Sequence, residues 1–196
     1  MQKIFLNRIH EIFNNRKARK TLLKLRVPVG LILIVLLSKT IDFQFFFLGL
    51  FISVLGELFQ IWCMSTIKTK KKLTVVGPYM FLRNPMYISR FFLIFGIILM
   101  TGNPWLMGGF TILYYFYMVN RVKREEDILS NLFGKAYEDY CRDVNRYVPS
   151  LKRFDRELLW SFNKDSFIQN NVHWNILGAA ISYLILYAFA KFWTTY

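Results

Sequence analysis

Gly77-Pro78-Tyr79-Met80-Phe81-Leu82-Arg83-Asn84-Pro85-Met86-Tyr87 concentrates turn-forming and polar chemistry between two strongly apolar runs, 43–64 before it and 88–100 after it. Gly77-Pro78 is a turn signal. Asn84-Pro85 reads as a helix start, with Asn84 as N-cap and Pro85 at the first helical position, where its missing N–H costs nothing. The run 88–100 continues that helix. A helix N-terminus carries unpaired N–H groups and a partial positive charge, so with Arg83 beside it this point is prepared for an anion at a membrane surface. The active site is expected here; the plainer alternative is a loop entering a membrane helix.

Composition agrees with a membrane setting. The chain has 196 residues, of which 55% are hydrophobic and 18% aromatic, more than an ordinary soluble domain carries. Its net charge of +14 has to sit outside hydrocarbon. That charge points to anionic lipid headgroups or an acidic substrate more readily than to nucleic acid, for which base-reading motifs are absent. Cys63 and Cys141 lie far apart with no His/Cys cluster, which argues against a metal or a disulfide framework. The N-terminus is too basic before its first apolar run for a cleavable signal peptide, so the chain is expected to stay whole.

Outward from the motif, the sequence predicts an all-α polytopic membrane bundle of about five transmembrane helices with a cytoplasmic cofactor-binding helical segment. Residues 1–26 form a basic amphipathic arm, with Ile4, Phe5, Ile9, Ile12 and Phe13 at helical spacing and Arg16, Lys17, Arg19 and Lys20 clustered. The membrane core is 27–149, and 150–196 is an interfacial segment followed by an extra C-terminal span. The apolar runs are 27–37, 43–64, 85–100, a segment to 119 and 174–192. Glu57, inside the second run, is an ionisable residue in hydrocarbon and is expected to face the bundle interior or a polar cavity. Asn103-Pro104 repeats the helix-start pair, and its helix is expected to run on into the charged stretch Arg121–Asp127, end at Gly134 and restart through Tyr137 and Tyr140. The arm holds eight Lys/Arg, 68–90 six and 121–164 ten, whereas the opposite-side loops hold only Lys39 and Lys191. That asymmetry predicts a cytoplasmic N-terminus and active site and a C-terminus on the far side, in a bacterial inner membrane or an endoplasmic reticulum type of membrane.

Two blocks resemble the isoprenylcysteine carboxyl methyltransferase and phospholipid methyltransferase family of integral membrane enzymes. Gly77, Pro78, Tyr79, Arg83, Pro85 and Tyr87 match its pattern Gly-Pro-Tyr, three residues, Arg-His-Pro, one residue, Tyr. Arg121, Glu125, Glu126, Leu129, Phe133, Gly134, Tyr137, Tyr140, Arg146 and Pro149 match its second pattern in order and spacing. The resemblance covers 72–149. It implies S-adenosylmethionine bound under 125–149, no metal, and a lipid or lipidated acceptor entering from the bilayer. The cofactor-binding set is then Gly77, Pro78, Tyr79, Arg83, Asn84, Pro85, Tyr87, Glu125, Glu126, Tyr137 and Tyr140, and Arg83, Arg121, Glu126 and Arg146 carry the chemistry.

Consecutive glutamates on a helix point about a hundred degrees apart, so only one is expected to face the ligand. Glu125 is paired by spacing with Arg121, which leaves Glu126 for the cofactor. The family's histidine is Asn84 here, so imidazole basicity is lost while hydrogen bonding is kept. A carboxylate or phosphate acceptor is already ionised at neutral pH and needs only cations to orient it. The expected reaction is therefore methyl transfer to an anionic oxygen, on a lipid phosphate such as that of lipid A or on a prenylcysteine carboxylate. The alternatives are phosphatidylethanolamine N-methylation and a non-enzymatic scaffold that binds anionic lipid.

Overall fold

A computed structural model describes residues 11, 15–68 and 72–195, and every regular element among them is helical. Half of the predicted arm, including Ile4, Phe5, Ile9, Ile12 and Phe13, lies outside the described residues, as do 69–71. From Arg16 onward the arm does not end at Arg26. It joins the first apolar run in one helix, α1 (Arg16–Ser38), with Pro28 inside it.

The bundle is organised by α2 (Phe43–Thr66) and α3 (Pro85–Leu99), which pack antiparallel. Asp42 starts α2 by accepting from the Gln44 N–H at 2.9 Å. Glycines set the closeness of the pair. A Cβ on Gly49, Gly56 or Gly96 would come within 3.0 Å of backbone atoms of the facing helix, so any larger residue there would force the helices apart. Small residues at such a crossing allow the backbone contact on which association in lipid depends, where apolar burial supplies little. Ser53 Oγ donates to the Leu93 carbonyl at 2.7 Å and lies 2.8 Å from the Tyr183 hydroxyl, which ties α2 and α3 to the last helix.

Between α2 and α3 the chain makes a 3₁₀ turn, Gly77–Met80, with Gly77 at φ +60°. There a Cβ would be strained and would crowd Thr66 and Trp62. The 30-residue α4 (Pro104–Phe133) follows, apolar in its first half and charged in its second, as the sequence predicts. Gly134, at φ +47°, stops it, and α5 (Lys135–Asp143) restarts at once. Two short helices, α6 (Arg156–Leu159) and α7 (Lys164–Gln169), lead to α8 (Val172–Thr195).

Two of the five predicted spans are helices long and apolar enough to cross a membrane, Phe43–Thr66 and Val172–Phe192. Pro28–Ser38 and Pro85–Leu99 are apolar but shorter. The outward faces of α2, α4 and α8 carry Phe47, Phe51, Ile112, Leu113 and Leu184, each more than half exposed, an apolar surface that water would not tolerate on this scale. Glu57 is buried within the bundle, as its intramembrane position predicts.

Candidate active site

The two sequence blocks meet above the α2–α3 pair. Backbone pairing joins them just after the Gly77–Met80 turn: the Arg83 N–H donates to the Asn145 carbonyl at 3.0 Å and the Ser150 N–H to the Phe81 carbonyl at 2.9 Å. Tyr140, buried on α5, reaches beneath the turn and donates its hydroxyl to the Tyr79 carbonyl at 2.7 Å. Its ring packs with Tyr137 and Val144 against Leu73, Leu129 and Phe133 in a small apolar core of its own. Burial raises the Tyr79 and Tyr140 hydroxyls well above the ordinary phenol range, so both remain protonated donors at neutral pH.

Glu126 is the hub beneath this layer. Its carboxylate is buried and accepts from Asn84 Nδ2 at 2.9 Å, lies 3.6 Å from Arg83 Nε, and is held by Arg146 Nη2 on its other oxygen. The 3.6 Å approach is an ion pair without a hydrogen bond, and Arg83 Nε has no hydrogen-bond partner among the described residues. The hydrogen bond to Glu126 raises Arg146 further above its already basic range. One carboxylate near the C-terminal end of α4 thus gathers side chains from the start of α3 and the loop after α5. Asn84 stands at the N-cap position but makes no side-chain cap, because its amide is committed to Glu126.

Beside the hub lies a cleft of about 630 Å³, counted to its open mouth. Lys68, Lys72, Thr74, Tyr79, Arg83, Asn84, Tyr87, Glu125 and Tyr140 line its polar side, and Leu73, Leu129 and Phe133 its apolar side. Glu125 pairs with Arg121 at 2.9 Å, and Arg121 Nε also donates to the Tyr87 hydroxyl at 3.2 Å. The buried Tyr79 hydroxyl has no hydrogen-bond partner among the described residues.

The predicted residues therefore sort by position. Tyr79, Arg83, Asn84, Tyr87, Glu125 and Tyr140 share the cleft, with Arg121 flanking it. Gly77, Pro78 and Pro85 shape the chain around it, and Tyr137 lies in the core below. Glu126 and Arg146 form the hub behind the wall, so of the two glutamates it is Glu125 that reaches the cleft, while keeping its predicted Arg121 pair. Sequence reasoning assigned no site role to Lys68, Lys72, Thr74, Leu73, Leu129 or Phe133. The run Lys68–Lys72, directly before the motif, was the available signal for the first two.

These observations define an all-helical protein with an apolar bundle and a cleft of mixed charge at one end of it. The chain belongs to the phospholipid methyltransferase family, whose model matches residues 25–136. It is 24% identical over 119 residues to a protein-S-isoprenylcysteine O-methyltransferase of Tribolium castaneum, covering 55% of this chain and 42% of that one. A protein of the same name from Xenopus laevis is 26% identical over 117 residues, 54% of this chain and 41% of that one. The Dictyostelium discoideum protein is 26% identical over 121 residues, 56% and 51% of the two chains. The matched region thus spans about half the length of these relatives or less. No solved structure matches the chain.

Proposed function

We propose that this protein is an integral membrane methyltransferase. In this reading it takes a methyl group from S-adenosylmethionine and delivers it to an anionic oxygen on a membrane-embedded acceptor. The carboxylate of a prenylated cysteine is the acceptor that the relatives' names favour, and a lipid phosphate is the second member of the same chemical class. The observation that carries the reading is one cleft wall with Glu125 and three cations, Lys68, Lys72 and Arg83, at the end of an apolar bundle. A zwitterionic amino acid moiety needs both signs of charge within one site.

The residues present fit the cofactor. Glu125 suits an ammonium or ribose hydroxyls, Arg83 and the lysines suit a carboxylate, and Leu73, Leu129 and Phe133 offer an apolar face to a base. Arg83 Nε and the Tyr79 hydroxyl are donors without protein partners at that wall. When bound, the cofactor supplies a methyl group activated by a positively charged sulfur. This chain's residues do the positioning. Arg83 holds an anionic oxygen at the α3 start, where helix dipole and guanidinium act together, and Glu126, itself held by Arg146, orients the Arg83 and Asn84 side chains. The tyrosine latch below the turn excludes water. An ionised acceptor needs no general base, which agrees with Asn84 standing where the family has histidine.

The same reading includes five membrane crossings with the N-terminus and cleft on the cytoplasmic side. Reporter fusions should find the two termini on opposite sides; both in the cytosol would break the crossing number.

Isothermal titration of the detergent-purified protein with S-adenosylhomocysteine tests the cleft, and saturable binding below millimolar concentration is expected. Absence of binding up to that concentration would leave an anionic-lipid scaffold as the better reading. Labelled methyl transfer to a prenylcysteine, to a lipid phosphate and to phosphatidylethanolamine then assigns the acceptor. A product only on the amine would overturn the anionic oxygen.

A further inference from the structure

A second cavity, of about 700 Å³ counted to its open mouth, lies between α2, α3 and α8. Glu57 and Gln60 of α2 form its floor with Leu93 and Ile97 of α3, and Trp174, Asn175, Gly178, Ser182 and Tyr183 of α8 form its far side. Glu57 is ten residues before Ile67, which caps α2 and lines the cleft, so Glu57 sits about 15 Å along α2 from the cleft. The α8 side lies beyond the segment that the family model matches.

The helix contacts give its depth. Asn170 Nδ2 donates to the Met64 carbonyl at 2.8 Å, near the end of α2, whereas Tyr183 meets Ser53 two turns deeper than Gln60. The groove therefore runs from the level of the exposed Trp174 into the body of the bundle. Interfacial tryptophan at one end and a carboxylate at depth is the layout of a path for the polar end of an amphiphile.

The polar groups decide which amphiphile. Glu57 and Gln60 are 7% and 8% exposed, and the Oε1 atom of each has no hydrogen-bond partner among the described residues. In a chain of net charge +14, no Lys or Arg among the described residues lines this cavity, and Glu57 is the carboxylate among them. Such a lining repels phosphate, sulfate and carboxylate. It attracts a cation, and the orphaned acceptor favours a cation that carries N–H groups over one that does not. Trp174 at the mouth adds an aromatic face on which an ammonium can rest.

We infer that this groove is a second binding site, separate from the cleft, that takes the primary ammonium of an amphiphile, with Glu57 as its counter-ion and Gln60 as an additional acceptor. The inference stands on the groove alone and does not depend on the chemistry of the cleft.

The test compares two probes with one tail and one charge. The full-length protein in neutral detergent is titrated with dodecylammonium and with dodecyltrimethylammonium, which differ in whether the nitrogen carries hydrogens. The primary ammonium should bind about tenfold tighter or better, and Glu57→Gln should abolish that preference while S-adenosylhomocysteine binding at the cleft is unchanged. Equal affinity for the two probes in the unaltered protein would overturn the site, as would a preference that survives Glu57→Gln. Should Glu57→Gln fail to fold, Gly178→Phe serves instead. A Cβ at Gly178 meets nothing within 4 Å, so the ring can fill the groove without touching the α2–α3 contact. Loss of ammonium binding in that variant supports the site, and undiminished binding overturns it. Competition by phosphatidylethanolamine, but not phosphatidylcholine, in nanodiscs would assign the ammonium to a lipid headgroup; no competition would assign it to a single-chain amine.

Discussion

Asn84-Pro85 and Asn103-Pro104 start α3 and α4 with the same two residues, and the two asparagines are used differently. Asn103 adopts extended backbone angles, φ −91° and ψ 108°, and its Oδ1 accepts from the N–H groups of Trp105 and Leu106 at 2.9 and 3.2 Å. Asn84 has ψ 52°, makes no cap, and donates to Glu126, 42 positions away, at 2.9 Å. Capping needs the side-chain oxygen turned back over the helix start. At Asn84 a buried carboxylate competes for the same side chain, and a charge-assisted hydrogen bond outweighs a neutral cap. The difference separates a helix start that is only a helix start from one that belongs to a site. Each prediction below tests whether that separation is real.

The largest effect is expected at the acceptor that diverts Asn84. Glu126→Gln leaves Arg83 and Arg146 facing a neutral amide. The expected loss is about 3 kcal/mol, the low end for breaking a buried pair, because the Arg146 side chain is 42% exposed and water recovers part of its pairing. Thermal unfolding in detergent measures it. Glu125→Gln is the matched control. Its pair with Arg121 is 37% and 42% exposed, so stability should change by less than about 1 kcal/mol while S-adenosylhomocysteine binding falls. If the two variants lose stability equally, Glu126 is not the hub.

Next comes Asn84→Asp, which sets a second carboxylate against Glu126 in place of an amide donor. Losing a hydrogen bond to a charged group costs about 2 kcal/mol before repulsion is counted. Both the unfolding temperature and cofactor-analogue affinity should drop. A variant as stable as the unaltered protein would mean that Asn84 is free to return to capping, and the contrast with Asn103 would disappear.

Much of the local structure was legible because it rests on local chemistry. Gly134 ends α4 where a residue with positive φ is needed, and the Asp127–Tyr140 stretch continues and restarts as read. Glu57 falls inside the bundle because a carboxylate cannot face hydrocarbon. The rest depended on which surfaces meet. Nothing in the order Gly49, Ser53, Gly56 and Gly96 says that these four form one crossing until the helices are brought together. The Asn84 cap was a fair local reading, overridden by a residue on another helix. Lys68 and Lys72 count in the sequence only among the six Lys/Arg of 68–90, and only the fold sets them in one cleft with Glu125. The resemblance picked out two blocks that meet at the cleft, but assigning Glu125 and Glu126 to opposite sides of the cleft wall required knowing where α4 faces α3.

Arg83→Lys should cost about ten- to a hundredfold in cofactor-analogue affinity or in methyl transfer rate. An ammonium keeps the charge but loses the planar fork that can serve Glu126 and a ligand together. Arg90→Lys, about two turns further along the chain on α3, is the control, since a snorkelling side chain needs only length and charge. Equal, near-unaltered behaviour of both would remove Arg83 from the site and make the α3 start resemble the α4 start.

The smallest effects belong to Asn103, and they show whether the comparison holds at its plain end. Asn103→Ala removes the oxygen that satisfies two backbone N–H groups and should cost about 1 kcal/mol, with no change in S-adenosylhomocysteine binding. Asn103→Asp should cost nothing measurable, since aspartate caps as well as asparagine and its charge suits a helix N-terminus. The same Asn-to-Asp change thus destabilises at position 84 and is silent at position 103. Local sequence cannot produce that divergence, because the two residues that differ in consequence sit in the same Asn-Pro pair. Only the carboxylate of Glu126 distinguishes them. Combining Asn84→Asp with Glu126→Gln should therefore cost less than the sum of the two single losses, because the new acid then faces an amide that can donate to it. If the double variant is as unstable as the sum of its parts, the two residues act independently, and the difference between the two helix starts has some other origin than the hub.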